Sequence, residues 1–321
     1  MTRSVRSHRR LRRAIILIVV LGLVTAAFGT LAIATNAAGI GDKWISALNR
    51  VERFLAGPVP DRPTAETVLV TEPPATPTPE PTPEPTPIPT LVGSGASLVP
   101  TAPPTPSPTP EPVRKKMKVN LLEDPEAVFT SQVTKDWCAP AGVQMVLTIH
   151  GKIDRGEKAQ RQIAGRVREW ESKKDSRNGD WGPAAMARAL EEYGVPGYEV
   201  RAFETRQGAL RDAARSIQKT GAPVLLLAWW GAHTWVMHGF KADADPTIFR
   251  DAKITGAYIL DPWYPRVSSI WGRSDGPGVF QDEAEMKRNF IKWTRPEGRY
   301  PDRDGLYITV APTLPNPVAA G

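Results

Sequence analysis

Gln132-Val133-Thr134-Lys135-Asp136-Trp137-Cys138-Ala139-Pro140-Ala141-Gly142-Val143-Gln144-Met145-Val146-Leu147 runs from a polar loop straight into an apolar stretch. Pro140 falls in the first turn of the helix this predicts, where a missing N–H costs nothing. Val143, Met145, Val146, Leu147 and Ile149 leave no polar face, so the helix Ala139–His150 belongs inside a core. Cys138 is the only cysteine of the chain, which excludes an intramolecular disulfide and any zinc site built from several thiolates. A thiol at a helix start meets the positive end of the macrodipole and unpaired N–H groups, both of which favour thiolate. Cys138 is therefore a candidate nucleophile, against the alternative of a cysteine packed as a small hydrophobe.

Outward from this helix, further helices are expected at Ala159–Ser172, Pro183–Tyr193, Thr205–Lys219 and Gln281–Trp293. Strands are expected at Tyr198–Phe203, Val224–Trp229, Thr234–Phe240, Gly256–Leu260 and Leu306–Val310. Helices come mainly first and strands mainly later, an order that argues for α+β with a largely antiparallel sheet. Residues 114–315 form one globular domain with nine of the ten tryptophans, followed by a short tail at 316–321.

Toward the N-terminus the character changes three times. Residues 1–13 hold six arginines and no acid, and Ala14–Thr35 carries no charge. At a rise of about 1.5 Å per residue that run spans roughly 33 Å, enough for a transmembrane signal anchor over 14–38. The basic flank would stay cytoplasmic and send the remainder outside. A cleaved signal peptide is the competing reading, because Ala32-Ile33-Ala34 matches an A-x-A site. Residues 39–56 place Trp44, Ile45, Leu48, Val51, Phe54 and Leu55 at helical spacing, giving a juxtamembrane amphipathic helix. From 57 to 113 proline, threonine and glutamate dominate, and the expectation is a disordered stalk reaching on the order of 150 Å if fully extended. Of the formal charge of +7, the N-terminal arginines account for all but +1, so the exported part is near neutral and nucleic acid is not an expected partner.

A thiolate needs a base. Four histidines are present, and His8 falls on the cytoplasmic side. His150 lies at the far end of the Cys138 helix, about 18 Å away by helical rise. His233 and His238 are an odd number of residues apart, so on a regular strand they face opposite sides. If Thr234–Phe240 and Gly256–Leu260 pair as an antiparallel hairpin, the start of the first strand lies beside the end of the second. His233 and Asp261 then meet at one sheet edge, the carboxylate fixing the tautomer of the base. His238 reads as a structural histidine. Asp243, Asp245 and Asp251 lack the spacing of a calcium loop and read as a solvated connection, so neither metal nor cofactor is expected. Trp137, Trp229, Trp230 and Trp263 flank these positions, as core or as cleft wall.

Gln132, Cys138, His233 and Asp261 in this order resemble the papain-like cysteine peptidases, most closely the bacteriocin-processing, double-glycine peptidase-like group. Asp136-Trp137-Cys138-Ala139-Pro140-Ala141 is similar to its nucleophile motif. Asn178-Gly179-Asp180-Trp181-Gly182-Pro183 and Ile259-Leu260-Asp261-Pro262 are similar to its second helical and sheet segments. The resemblance covers roughly Asn120 to Val310. It implies a papain-like fold, a helical half with the nucleophile helix packed on a C-terminal antiparallel sheet. It also implies acyl transfer by a Cys138–His233–Asp261 triad, with the Gln132 amide as oxyanion donor and a peptide, protein or cell-wall peptide as substrate. Unlike the founding members of that group, this chain has no transporter and points its domain outward, so leader processing is not implied. The alternatives from other classes are a non-catalytic peptide- or wall-binding module and a structural surface protein.

Overall fold

The computed structural model describes residues 22, 24–35, 40–61, 66–71, 111–175, 181–295 and 298–320. Among them no helix is long and apolar enough to cross a membrane. Residues 24–34 are helical, while much of the expected anchor lies outside the described residues. The elements in order are α1 (Ile40–Ala56), β1 (Val68–Leu69), β2 (Met117–Asn120), α2 (Cys138–Ile149), α3 (Glu157–Gly165), α4 (Val167–Trp170), α5 (Pro183–Glu192), β3 (Tyr198–Phe203), α6 (Arg206–Thr220), β4 (Val224–Ala228), β5 (His233–Ala242), β6 (Ile254–Leu260), β7 (Val267–Ser268), β8 (Gly272–Arg273), β9 (Val279–Asp282), α7 (Glu283–Asn289) and β10 (Tyr307–Pro312).

Mixed helices and sheet are what the order of sequence patterns led us to expect. The main sheet runs β1-β3-β10-β4-β5-β6-β9, with β2 also on β5, and every pairing in it except β1 with β3 is antiparallel. β5 is its long member. One edge of β5 pairs with β6, while the other is shared between β4 along its first half and β2 along its second. The hairpin expected from Thr234–Phe240 and Gly256–Leu260 is present, with Val236 opposite Leu260.

Helices cover the sheet on both faces, an arrangement different from a helical half laid on one side of it. On one face the apolar residues of α2 and α5 (Val143, Val146, Leu147, Ala185, Leu190) pack with Leu225, Leu227 and Val236. On the other, Leu210, Ala213 and Ile217 of α6 and Met286 of α7 meet Val224, Leu226, Trp235 and Met237. A register irregularity between Met237 and Gly239 resets the side-chain alternation. Trp235 and Met237 before it, and Phe240 and Ala242 after it, all join the second cluster.

Boundaries shift where local chemistry intervenes. The helix expected over Ala159–Ser172 breaks at Arg166, whose ψ is 1°. That expected over Gln281–Trp293 shortens, because Val279–Asp282 pairs with β6 before the Asp282 side chain caps α7 through the Ala284 and Glu285 N–H groups at 2.9 and 3.0 Å. The expected stalk also shifts, since Val68 and Leu69 of its 57–113 range pair with β3. The three aspartates of the Lys241–Thr255 connection are committed locally. Asp243 and Asp251 hold Arg114, and Asp245 accepts from the Thr247 N–H and hydroxyl.

One buried ion pair ties the layers together. Arg303 Nη2 lies 2.8 Å from Asp175 Oδ1, and both side chains are buried. Asp175 also accepts from the Ala184 and Ala185 N–H groups at 3.2 and 2.8 Å, capping α5 from outside the helix. Asp175→Ala would leave the guanidinium buried without its partner, a loss of about 3–5 kcal/mol. Chemical denaturation of the folded variant should show a drop of that size, and an unchanged midpoint would contradict the role given to the pair.

Candidate active site

Cys138 is the first residue of α2, so its N–H has no acceptor inside the helix. The Sγ approaches the Ala232 carbonyl oxygen at 3.9 Å. Ala232 ends the β4–β5 connection, where Trp229, Trp230 and Gly231 take φ values of 52°, 58° and 78° in succession. Two tryptophans in the left-handed region are costly, of the order of 1–2 kcal/mol each. That turn reverses the chain within four residues and delivers His233 to the start of β5. At Gly231 nothing larger than hydrogen fits, because a Cβ would come within 2.3 Å of the Trp293 ring.

His233 is buried, and its Nε2 lies 2.7 Å from Asp261 Oδ1. Asp261 follows directly on β6, and the same Oδ1 accepts from the Trp263 N–H at 2.9 Å. Nδ1 is the ring nitrogen that Asp261 leaves free, and Cys138 and His233 line the same cavity. Burial by itself would lower the His233 pKa. The Asp261 carboxylate, by charge and hydrogen bond, overrides it together with the Cys138 contact and raises the ring to about 9. Asp261 responds in the opposite sense, because burial pushes it up while His233, Ser274 and the Trp263 N–H hold it below the usual carboxylate value. Trp229 stacks on the imidazole with centroids 4.0 Å apart at 18°, and Trp263 meets it edge-on at 6.4 Å. These two of the flanking tryptophans therefore pack directly against the His233 ring.

A cavity of about 490 Å³ opens beside these groups. Cys138, His233, Asp175, Trp181, Trp293 and Tyr300 are among the residues that line it. Arg303 lies against the rings of Trp293 and Tyr300 at 5.6 and 5.7 Å, so the ion pair with Asp175 also braces two rings that line the cavity. Asp175 and Arg303 went unnoticed in the sequence. They are far apart along the chain, and no local pattern marks a cap supplied from outside its helix.

Gln132 is placed differently from the other three. Its side chain is buried and its Nε2 donates to the Thr134 and Lys135 carbonyls at 2.7 and 2.9 Å. It does not line the cavity. The expectation of an oxyanion donor is thus not met in this arrangement: the amide holds the loop before Cys138 in its turn. That loop is also fastened to the Asp261 side, since Gln132 N–H donates to the Pro262 carbonyl at 2.8 Å and Arg266 Nη1 donates to the Gln132 carbonyl at 2.6 Å.

The remaining described histidines stand apart. His150 caps the far end of α2, 3.4 Å from the Tyr198 hydroxyl, and burial lowers its pKa to about 4. His238 is fully buried with neither ring nitrogen bonded, and burial lowers it to about 4 as well. Among the described residues no cluster of His, Cys, Asp or Glu is arranged to hold a metal ion.

No family model matches the chain, and no curated protein does. Among solved structures it is similar to a double-glycine motif protease from an AMS/PCAT transporter, determined in complex with the leader peptide. The identity is 20%, the match covers 58% of this chain and 91% of that one, and the TM-score is 0.30.

The histidines give the domain a pH signature with two limbs. His233 is raised from 6.5 to about 9, so its contribution to stability is complete below pH 6.5 and is lost as pH rises through about 9. His150 and His238 are lowered from 6.5 to about 4, so theirs is complete above pH 6.5 and is lost as pH falls toward 4. Urea unfolding across this range should show both declines. Asp261→Asn should flatten the alkaline limb and His238→Gln should soften the acid one, and an alkaline limb unchanged in Asp261→Asn would contradict the assignment.

Proposed function

We propose that the protein is a thiol hydrolase of papain-like type that cleaves an amide bond in a peptide, with Cys138 as nucleophile, His233 as general base and acid, and Asp261 as the group that orients it. The single observation that carries this reading is the 2.7 Å contact between His233 Nε2 and Asp261 Oδ1, with His233 and the helix-start thiol lining one cavity. His233 takes the Cys138 proton, and the thiolate adds to the amide carbonyl carbon. The Cys138 N–H, unpaired at the helix start, donates to the oxygen on which negative charge develops. Collapse of the tetrahedral species breaks the C–N bond, His233 gives its proton to the departing nitrogen, and a thioester remains. Water, deprotonated by His233, adds to the thioester and releases the carboxylic acid and the thiol.

The six N-terminal arginines followed by the uncharged Ala14–Thr35 run support anchoring by a single span with the domain outside the cell, and release after cleavage at Ala32-Ile33-Ala34 is the alternative. One observation favours a second reading of the domain, a non-catalytic peptide-binding module: the Gln132 amide is spent on carbonyls and offers no second oxyanion donor.

A thiol-directed peptidyl electrophile added to the full chain in detergent should form an adduct at Cys138, mapped by mass spectrometry. Removal of a general base typically costs 10²–10⁴-fold, so His233→Ala should slow labelling by about that factor while folded His238→Gln labels normally. Equal labelling of wild type and His233→Ala, or none in the wild type, would return the binding module. Gln132→Ala separates the two roles of that side chain. As a loop support it should lower the melting temperature and leave the labelling rate of the folded fraction within a few-fold, whereas an oxyanion donor would be worth about 10²–10³ in turnover.

A further inference from the structure

The Pro/Thr-rich run is held at both of its ends. Before it, Arg168 Nη2 donates to the Ala56 and Pro58 carbonyls at 2.7 and 3.2 Å, and the Lys173 N–H donates to the Pro60 carbonyl at 2.9 Å. Arg303 Nε donates to the Thr67 hydroxyl at 3.2 Å, β1 lies parallel to β3, and the Val70 N–H donates to the Ala202 carbonyl at 3.0 Å. After it, Arg114 bonds Asp251 and β2 pairs with β5. Through the registers of β3, β10, β4 and β5, the two attachment points lie three strand positions apart laterally and opposite one another along the strands. Strand spacing and rise convert that to a gap on the order of 30 Å, which about ten extended residues would bridge. Residues 72–110 far exceed that need, and their length adds nothing to the distance between the N-terminal segment and the domain.

Only α1 then separates the uncharged run from the domain. It begins five residues after Thr35 and is about 25 Å long. Trp44, Leu48, Val51 and Leu55 share one helical stripe and are 49–78% exposed, with Lys43 and Arg50 along one flank and Glu52 on the other. An apolar stripe with cations along one flank, following in sequence an uncharged run of membrane-spanning length, fits a lipid interface.

We propose that α1 lies in the surface of a phospholipid bilayer and seats the domain directly upon it, residues 72–110 being a loop closed on the domain and not a spacer beneath it. The seat rests on the anchoring proposed above; the loop closure does not.

The full chain, carrying a specific protease site within residues 72–110, would be placed in phosphatidylcholine–phosphatidylglycerol vesicles, cut, and floated on a gradient. The fragment beyond the cut should float with the lipid as the uncut chain does, and its release into the unbound fraction would overturn the closed loop. Val51→Cys in a Cys138→Ser background, labelled with a polarity-sensitive dye, should shift to the blue on adding vesicles and be quenched by brominated acyl chains. An unchanged spectrum in floating protein would overturn the seat. If the uncut chain does not float, the anchoring fails and the seat with it, and co-elution or separation of the two fragments in native gel filtration then decides the loop by itself.

Discussion

Everything at the candidate site depends on the register between β5 and β6. Val236 opposite Leu260 puts the end of one strand beside the start of the other, and the carboxylate of Asp261 arrives at His233 with no side chain reaching far. A slip of one residue would turn Asp261 to the other face and leave a buried imidazole with neither counter-charge nor orientation. The register is pinned from several directions. β4 and β2 share the second edge of β5, β9 holds the far side of β6, and the irregularity at His238 fixes which residues enter each core cluster.

Burial and charge oppose each other in that contact, and the balance defines what the imidazole does. A ring sealed by Trp229 and Trp263 would ordinarily shed its proton, as His150 and His238 do elsewhere in the same domain. Asp261 reverses the outcome for His233 alone. Three described histidines of one chain thus divide by whether a carboxylate accompanies the burial.

Much of this was legible in the sequence, for identifiable reasons. The apolar run after Cys138 and the β-branched and aromatic stretches around 224–240 and 254–260 are long and dominated by apolar residues, so their elements follow from length and composition, and the meeting of His233 with Asp261 follows from hairpin geometry. What escaped depends on partners distant in the chain. β1 and β2 are a few residues long and become strands only because β3 and β5 present free edges. The Asp175–Arg303 pair joins segments with no shared pattern, and the Gln132 amide is diverted by two carbonyls of its own loop, a competition that spacing alone does not reveal. Residues 57–71 read as the start of a proline-rich linker by composition, yet a free sheet edge takes two of them as β1.

β10 lies between β3 and β4, although it is the last of the described strands to be made. The sheet beneath the nucleophile helix therefore stays in two pieces until residues 307–312 have emerged, and such long-range closure is the slow part of folding. Arg303, which props the cavity wall, is synthesised just before them. The order of biosynthesis thus has a consequence of its own: a growing chain carries its cysteine long before it carries the finished cavity beside it.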